Sequence, residues 1–242
     1  MNKMTNPGTQ GALSWPRLLP GTLVKRYQRF LADVRLDGDG VVTAHCPNTG
    51  SMKGCCQPGR PVFLSTHNNP KRKLKYTWEL IQMPESLVGV NTLVPNRLVA
   101  ESIGAGLIEE LNGYDHMFRE ARVGHSRIDL LLEKANGKRC FVEIKNSTLV
   151  AGGVAYFPDA VTSRGLKHLQ ELRQLIYDGH RCVMFYFIQR MDAREFSPAD
   201  HIDPQYGKAL RKAVQKGVEV LAYDVDIDLK RIKLRNNIPC RL

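Results

Sequence analysis

Hydrophobic residues recur along this chain with two different periods, and the change falls near residue 90. Before it, short runs rich in β-branched and aromatic residues occupy TLVKRYQRFLADVRL (22–36), VVTAHCP (41–47), PVFLSTH (61–67) and YTWELIQM (76–83). DGDG, NTGSMKGCCQPG and NNPKRK separate them as turns, so residues 18–84 predict four or five short strands. MPESLVGVNTLVPN reads as a linker. After it, Leu98, Val99, Ile103, Leu107, Ile108 and Leu111 fall at helical spacing, with Asn96 as the N-cap. HMFREARVG, SRIDLLLE and KRCFVEIKN then read as three strands, and DAVTSRGLKHLQELRQLIYDG as a helix stopped by Gly179. RCVMFYFIQ is a buried strand, and DPQYGKALRKAVQKGVEVLAYDVDI a last helix and strand before a short tail. The order is α-β-β-β-α-β, then α-β. The expected organisation is a small β barrel with an N-terminal extension over residues 1–84 and an α/β domain over residues 85–242.

Charge sharpens this picture. The chain carries 35 Lys+Arg against 24 Asp+Glu, a net +11. Residues 1–90 hold 12 basic and 5 acidic residues, against 23 and 19 in the longer remainder. Such a surplus implies a polyanionic partner, nucleic acid first. An OB-fold suits the strand count, and PKRKLKYTW sets Lys71, Arg72, Lys73 and Lys75 beside Tyr76 and Trp78. Positive grooves with stacking rings hold single strands in such barrels. A solvated hairpin tip with both rings in the core is the plainer alternative. The longest apolar run, CVMFYFI, falls short of the ~20 residues of a membrane helix, and the start has no apolar signal region. Six cysteines without a CxxC pair suit a reduced, cytoplasmic protein. His45, Cys46, Cys55 and Cys56 lack the ligand gaps of structural zinc sites, so HCPNTGSMKGCC reads as a barrel loop whose Asn48, Thr49 and Ser51 are candidate DNA contacts. Neither GxGxxG nor GxxxxGK[ST] is present to suggest nucleotide cofactors.

The chemical question sits in SRIDLLLEKANGKRCFVEIKN (126–146), where Asp129, Glu143 and Lys145 interrupt strands of Ile, Leu, Val and Phe. Buried charges cost several kcal/mol unless paired or bound. A two-residue Asn136-Gly137 loop would set Asp129 opposite Ile144 and mix apolar with charged positions. A three-residue loop, Ala135-Asn136-Gly137, with Gly137 left-handed, pairs Lys134 with Lys138 and Asp129 with Glu143. Ile128, Leu130, Leu132, Val142 and Ile144 then share one face, and Arg127, Asp129, Glu143 and Lys145 the other. Two carboxylates this close raise each other's pKa unless a cation lies between them. Lys145 neutralises one, and a hard ion such as Mg²⁺ (or Mn²⁺) on Asp129 and Glu143 accounts for the other. A cross-strand salt bridge on a solvated face remains the alternative.

Asp129, followed fourteen positions later by Glu143-Ile144-Lys145, resembles the PD-(D/E)XK nuclease signature, and the α-β-β-β-α-β order is similar to that superfamily's core. HCPNTGSM, TWEL, NRL, SRIDLLL, VEIKNSTL and FPDAVTSRGLKHLQEL together resemble the sugar fermentation stimulation protein (SfsA) family over nearly all of residues 18–242. That resemblance implies an OB-like N-terminal domain, a PD-(D/E)XK nuclease-like C-terminal domain, non-specific DNA binding and a regulatory link to sugar, above all maltose, metabolism. The nuclease signature implies catalytic roles for Asp129, Glu143 and Lys145, and a metal held by Asp129, Glu143 and the Ile144 carbonyl. Superfamily members often add a glutamate from the first helix, here Glu101, with Glu120 on the first strand as its rival. RID stands where the superfamily has PD, which departs from the pattern. Arg164, Lys167, His168 and Glu171 share a face of the next helix, and the family pattern points Arg164 and His168 at the phosphate or the metal's water. Lys167, Ser126 and Arg127 are further candidate nucleic-acid contacts, and the superfamily leaves a homodimer open. The expectation is Mg²⁺-dependent phosphodiester hydrolysis; its rival is a non-catalytic DNA-binding regulator.

Overall fold

The structure, a computed structural model, describes residues 11–38, 40–123 and 126–242. After a three-residue strand, β1 (Ala12–Ser14), the chain forms β2 (Leu18–Tyr27), β3 (Leu31–Leu36), β4 (Gly40–His45), β5 (Pro61–Thr66) and β6 (Tyr76–Gln82). These pair in the order β4-β3-β2-β5-β6, and a parallel contact of Ala44 with Tyr76 and His45 with Thr77 closes the ring. Closure joins the two outer strands of that order. Alternate residues turn inward, so Ala32, Val34 and Leu36, Val62 and Leu64, and Trp78 fill the barrel. Trp78 is fully buried and its indole N–H donates to the Leu80 carbonyl (2.9 Å), which makes it a core ring. Tyr76 is half-buried. β7 (Leu87–Gly89) pairs with β6 and carries the barrel sheet past the boundary expected at residue 84.

The second half comprises α1 (Val94–Gly104), β8 (His116–Val123), β9 (Ser126–Glu133), β10 (Arg139–Ser147), β11 (Leu149–Ala151), β12 (Val154–Phe157) and α2 (Ser163–Tyr177). β13 (Arg181–Ile188), β14 (Glu195–Pro198), α3 (Pro204–Gln215), β15 (Glu219–Ile227) and β16 (Arg231–Asn237) complete it. A seven-stranded sheet runs β1-β16-β15-β13-β10-β9-β8, and β11-β12-β14 form a small separate one. Ala12–Ser14 therefore extend the α/β sheet, not the barrel, residues 1–10 of the expected extension lie outside the described residues, and the expected short tail is the strand β16.

Leu98 and Val99 of α1 cover one face of the large sheet, packing with Leu130, Val142, Phe185 and Phe187. On the other, Leu169 and Leu172 of α2 and Leu210 of α3 pack on Phe141, Met184 and Tyr186. β13 lies between parallel neighbours β10 and β15, buried on both sides, and this explains the unbroken run Cys182–Ile188. Each such side chain contributes roughly 1.5–3 kcal/mol by its burial.

α1 differs from its sequence expectation at both ends. Its N-cap is Leu93, and Pro95 sits in the first turn, where a missing N–H is harmless. The helix starts before Asn96, whose amide is thus free for another task. It stops at Gly104, and Ile108 and Leu111 are buried around a separate 3₁₀ turn. No described helix is long and apolar enough to cross a membrane. The barrel joins the α/β domain closely: the Gly89 N–H donates to the Gln189 carbonyl (2.9 Å), and a Cβ at Gly89 would lie 2.2 Å from the Gln189 amide. Only glycine permits that approach.

Candidate active site

The β9–β10 hairpin takes the three-residue loop that the pattern selects. Gly137 has φ 80°, its N–H donates to the Lys134 carbonyl (2.8 Å), and the Lys134 N–H donates to Lys138 (2.9 Å). The register runs from Glu133–Arg139 to Leu130–Val142, which brings Asp129 level with Glu143. There the ladder ends, because Asp129 Oδ2 accepts the Ile144 N–H (2.8 Å) in place of a backbone carbonyl. β8 is irregular at the same level, with Glu120 at φ 54° between the Arg119–Leu130 and Ala121–Ile128 pairs. This break turns Ile128 away from Leu130 and Leu132. It is buried with Phe141 and Leu169 on the α2 side, which corrects its expected place on the other face.

Around that break the charged groups converge. Asp129 Oδ1 accepts from Asn96 Nδ2 (2.7 Å), the amide that α1 leaves free. Glu143 is 1% exposed, and its Oε1 accepts from Lys145 Nζ at 2.5 Å and contacts His168 Nδ1. His168 Nδ1 also lies 3.1 Å from Lys145 Nζ. Arg164 Nε donates to His168 Nε2 (3.4 Å), an arrangement in which Nδ1 carries the ring proton. Glu143 Oε2 is buried and no described residue bonds it.

Burial, and then the Glu143 charge, push the Asp129 carboxyl up to about 6. For Glu143 burial acts in the same direction, but the His168 hydrogen bond and the Lys145 charge outweigh it and leave its pKa lowered. A cation would hold both groups ionised. The unbonded oxygen of Glu143 beside a carboxyl of this kind fits a divalent ion. No group of three His, Cys, Asp or Glu among the described residues is placed to share a metal. An ion here would rest on two carboxylates, main-chain oxygen and water, which is the habit of Mg²⁺. N–H and C=O of one strand residue leave on the same edge, so the Ile144 carbonyl faces the side where Asp129 takes its N–H.

The other candidates are placed differently. Glu101 is exposed and pairs with Arg97 (2.9 Å), so from α1 it is Asn96 that reaches Asp129. Glu120 and Arg127 are exposed on β8 and β9. Lys167 is exposed and pairs with Glu171 (3.7 Å), while Arg164 and the buried His168 turn toward the cluster. Lys71, Lys73 and Lys75 project from the connection before β6; Arg72 donates to Thr77 (3.1 Å) and Lys75 lies over the Tyr76 ring. Cys46 and Cys55 are buried in the barrel core, Cys46 against Met52. Pattern reading took Asn96 for a helix cap and missed its contact with Asp129. The NRL run contains it, but an isolated amide gives no periodic signal.

A family model for the sugar fermentation stimulation protein RE domain matches residues 93–231, and one for the SfsA N-terminal OB domain matches residues 24–90. The sugar fermentation stimulation protein homolog of Geobacter sulfurreducens is 56% identical over 223 residues, covering 92% of this chain and 95% of that protein. That of Shewanella sp. strain MR-4 is 49% identical over 230 residues, covering 94% and 98%. Among solved structures, Pyrococcus furiosus SfsA in complex with Ca²⁺ superposes with a TM-score of 0.88 at 28% identity, covering 95% of this chain and 98% of that one.

Proposed function

Because the chain belongs to the sugar fermentation stimulation protein family, we propose that it binds DNA without sequence preference and hydrolyses phosphodiesters with Mg²⁺ (or Mn²⁺) at Asp129 and Glu143. The observation that carries this reading is the buried, unbonded Glu143 Oε2 next to the Asp129 carboxyl. The Pyrococcus furiosus relative was solved with Ca²⁺, a hard cation of the same oxygen-ligand preference, which supports a divalent ion here. When bound, such an ion polarises a phosphoryl oxygen and lowers the pKa of the attacking water.

The chain's own groups do the rest. Asn96 holds the Asp129 carboxyl in one orientation, and the Ile144 carbonyl adds a neutral oxygen. Lys145, with its side chain 12% exposed, orients the water and offsets negative charge on the phosphorus oxygens. His168, on α2, holds Glu143 through its Nδ1–H, and the same carboxylate oxygen holds Lys145. The exposed Arg164 takes a non-bridging phosphate oxygen. A second reading, a DNA-binding regulator of sugar metabolism without catalysis, draws on Glu143 Oε1, which already has two partners inside the protein.

Titration of Mn²⁺ into wild-type protein and an Asp129→Ala/Glu143→Ala variant, followed by calorimetry with plasmid nicking on the same samples, separates these readings. Binding heat and nicking, both lost in the variant, are expected. Intact plasmid and no heat in the wild type would leave the regulator. DNA binding is expected either way, and to weaken steeply with salt as phosphate contacts release counterions. Replacing Lys71, Lys73 and Lys75 together by alanine should flatten the log–log salt slope by about 2 to 3. An unchanged slope would move the contact off this connection.

A further inference from the structure

Two clefts open where the barrel meets the α/β domain, with volumes of about 410 and 280 Å³, and Thr49, Gly50, Phe157 and Asp159 line both. The barrel's wall is the loop from Asn48 to Met52, which the α/β domain holds in place. The Asp159 carboxylate accepts the Met52 N–H (2.9 Å), and its carbonyl accepts the Ser51 hydroxyl (2.8 Å). A Cβ at Gly50 would meet Asn48 Oδ1 at 3.0 Å and Asp159 at 3.1 Å, so a larger residue there would push these side chains aside by a few tenths of an ångström. The facing wall includes Asn146, the residue after Lys145 on β10. Its Oδ1 is buried and no described residue bonds it. The wall from Phe157 to Thr162 runs directly into α2, where Thr162 caps the helix that carries Arg164 and His168. One cleft thus includes the residue that follows Lys145, and the other runs into the helix that carries Arg164 and His168.

Their chemistry differs in a useful way. Among the described residues, Asn48, Asn146, Thr49, Tyr156, Phe157 and Asp159 line the smaller cleft, and no Lys or Arg does. A phosphate would find no cation there and one negative charge. A heterocyclic base would find ring surface, with donors and acceptors for its edge. The larger cleft adds Arg26 and Arg29. Arg26 Nη2 is committed to the carbonyls of Arg29, Asn48 and Gly50 (2.6, 2.8 and 2.9 Å), and so shapes the loop. Arg29 lines the same cleft and is exposed.

We propose that these clefts receive one unstacked nucleotide, its base in the smaller cleft against Asn146 and its sugar-phosphate toward Arg29, so that the substrate is single-stranded or locally opened nucleic acid. This rests on the nucleic-acid reading above and adds the substrate class. A base buried in a duplex cannot enter, because its edge and faces are already occupied.

The test is fluorescence anisotropy of the full-length protein in EDTA, where nothing is cut. The probes are a labelled single-stranded octathymidylate, an abasic octamer of equal charge and a blunt duplex. Wild type is expected to bind the base-bearing strand about tenfold or more tighter than the abasic one. Thr49→Ala and Asn146→Ala should bring that ratio close to one with abasic affinity unchanged, and Asp129→Ala should keep it. Thr49 is exposed, so its variant reports even where Asn146→Ala melts early. Equal affinity of wild type for base-bearing and abasic strands, a preference for duplex, or an unaltered ratio in Thr49→Ala would overturn the proposal. A persistent ratio without metal-dependent nicking would remove only the nuclease reading, and nicking with a ratio of one would remove only the pocket.

Discussion

Lys145→Met is expected to slow plasmid nicking about 10²- to 10³-fold while Mn²⁺ affinity stays level or rises. The ammonium lies 2.5 Å from Glu143 Oε1, where it competes electrostatically with any cation brought to the same carboxylate. Methionine keeps most of the hydrocarbon volume, so the packing around the buried Glu143 survives. What disappears is the donor that orients water and answers charge on the phosphorus oxygens. Asp129→Asn should behave otherwise and lose both metal heat and nicking, because it removes a ligand charge. Single-turnover nicking with calorimetry on the same preparations reads the two quantities separately. If Lys145→Met loses metal heat as fully as Asp129→Asn does, Lys145 holds the carboxylates in place and takes no part in the chemistry.

The hairpin shows why part of this site is legible in sequence. Strand faces alternate strictly, so only one register keeps Leu130, Leu132, Val142 and Ile144 together, and that register also sets Asp129 beside Glu143. The same rule fails one residue further on. Ile128 leaves the apolar face because the Asp129 side chain captures the Ile144 N–H and ends the ladder. A rule built on backbone pairing has no means of anticipating a side chain that replaces a backbone acceptor. Asn96 and Glu101 invert in a similar way. Helical spacing brings both onto α1, yet Pro95 starts the helix early, and the amide, not the carboxylate, faces Asp129. Glu101 is satisfied locally by Arg97.

Other elements were hidden by their shortness. β11, β12 and β14 span three or four residues each, too few for a period to register. β16 was obscured by its polar RIKLRNN sequence, since only one of its faces meets the core, through Ile232. β1 pairs with β16 across nearly the whole chain length, a partner that local pattern cannot name. The barrel was plain by contrast, because closed antiparallel strands alternate cleanly between core and solvent.

Arg190→Ala is expected to destabilise the protein by about 3–5 kcal/mol, as a buried ion pair broken from one side does. Arg190 is 5% exposed and forks onto Asp192 at 2.6 and 2.5 Å. Its remaining Nη1 donates to the Gly54 carbonyl of the barrel (3.2 Å) and the Thr148 carbonyl that follows β10 (2.9 Å). One guanidinium thus joins the barrel loop to the strand that carries Glu143 and Lys145, and its loss leaves two carbonyls and a carboxylate without their donor. Arg190→Lys should recover little, because one ammonium cannot reproduce the fork and also reach both carbonyls. Arg190→Met with Asp192→Leu should be milder than Arg190→Ala alone, since no charge is then left buried. Urea unfolding followed by tryptophan fluorescence suits the measurement, because Trp78 reports the barrel core. An Arg190→Ala loss below about 1 kcal/mol, the range of exposed pairs, would mean that the apolar contacts and the Gly89–Gln189 approach hold the two domains together without this clamp.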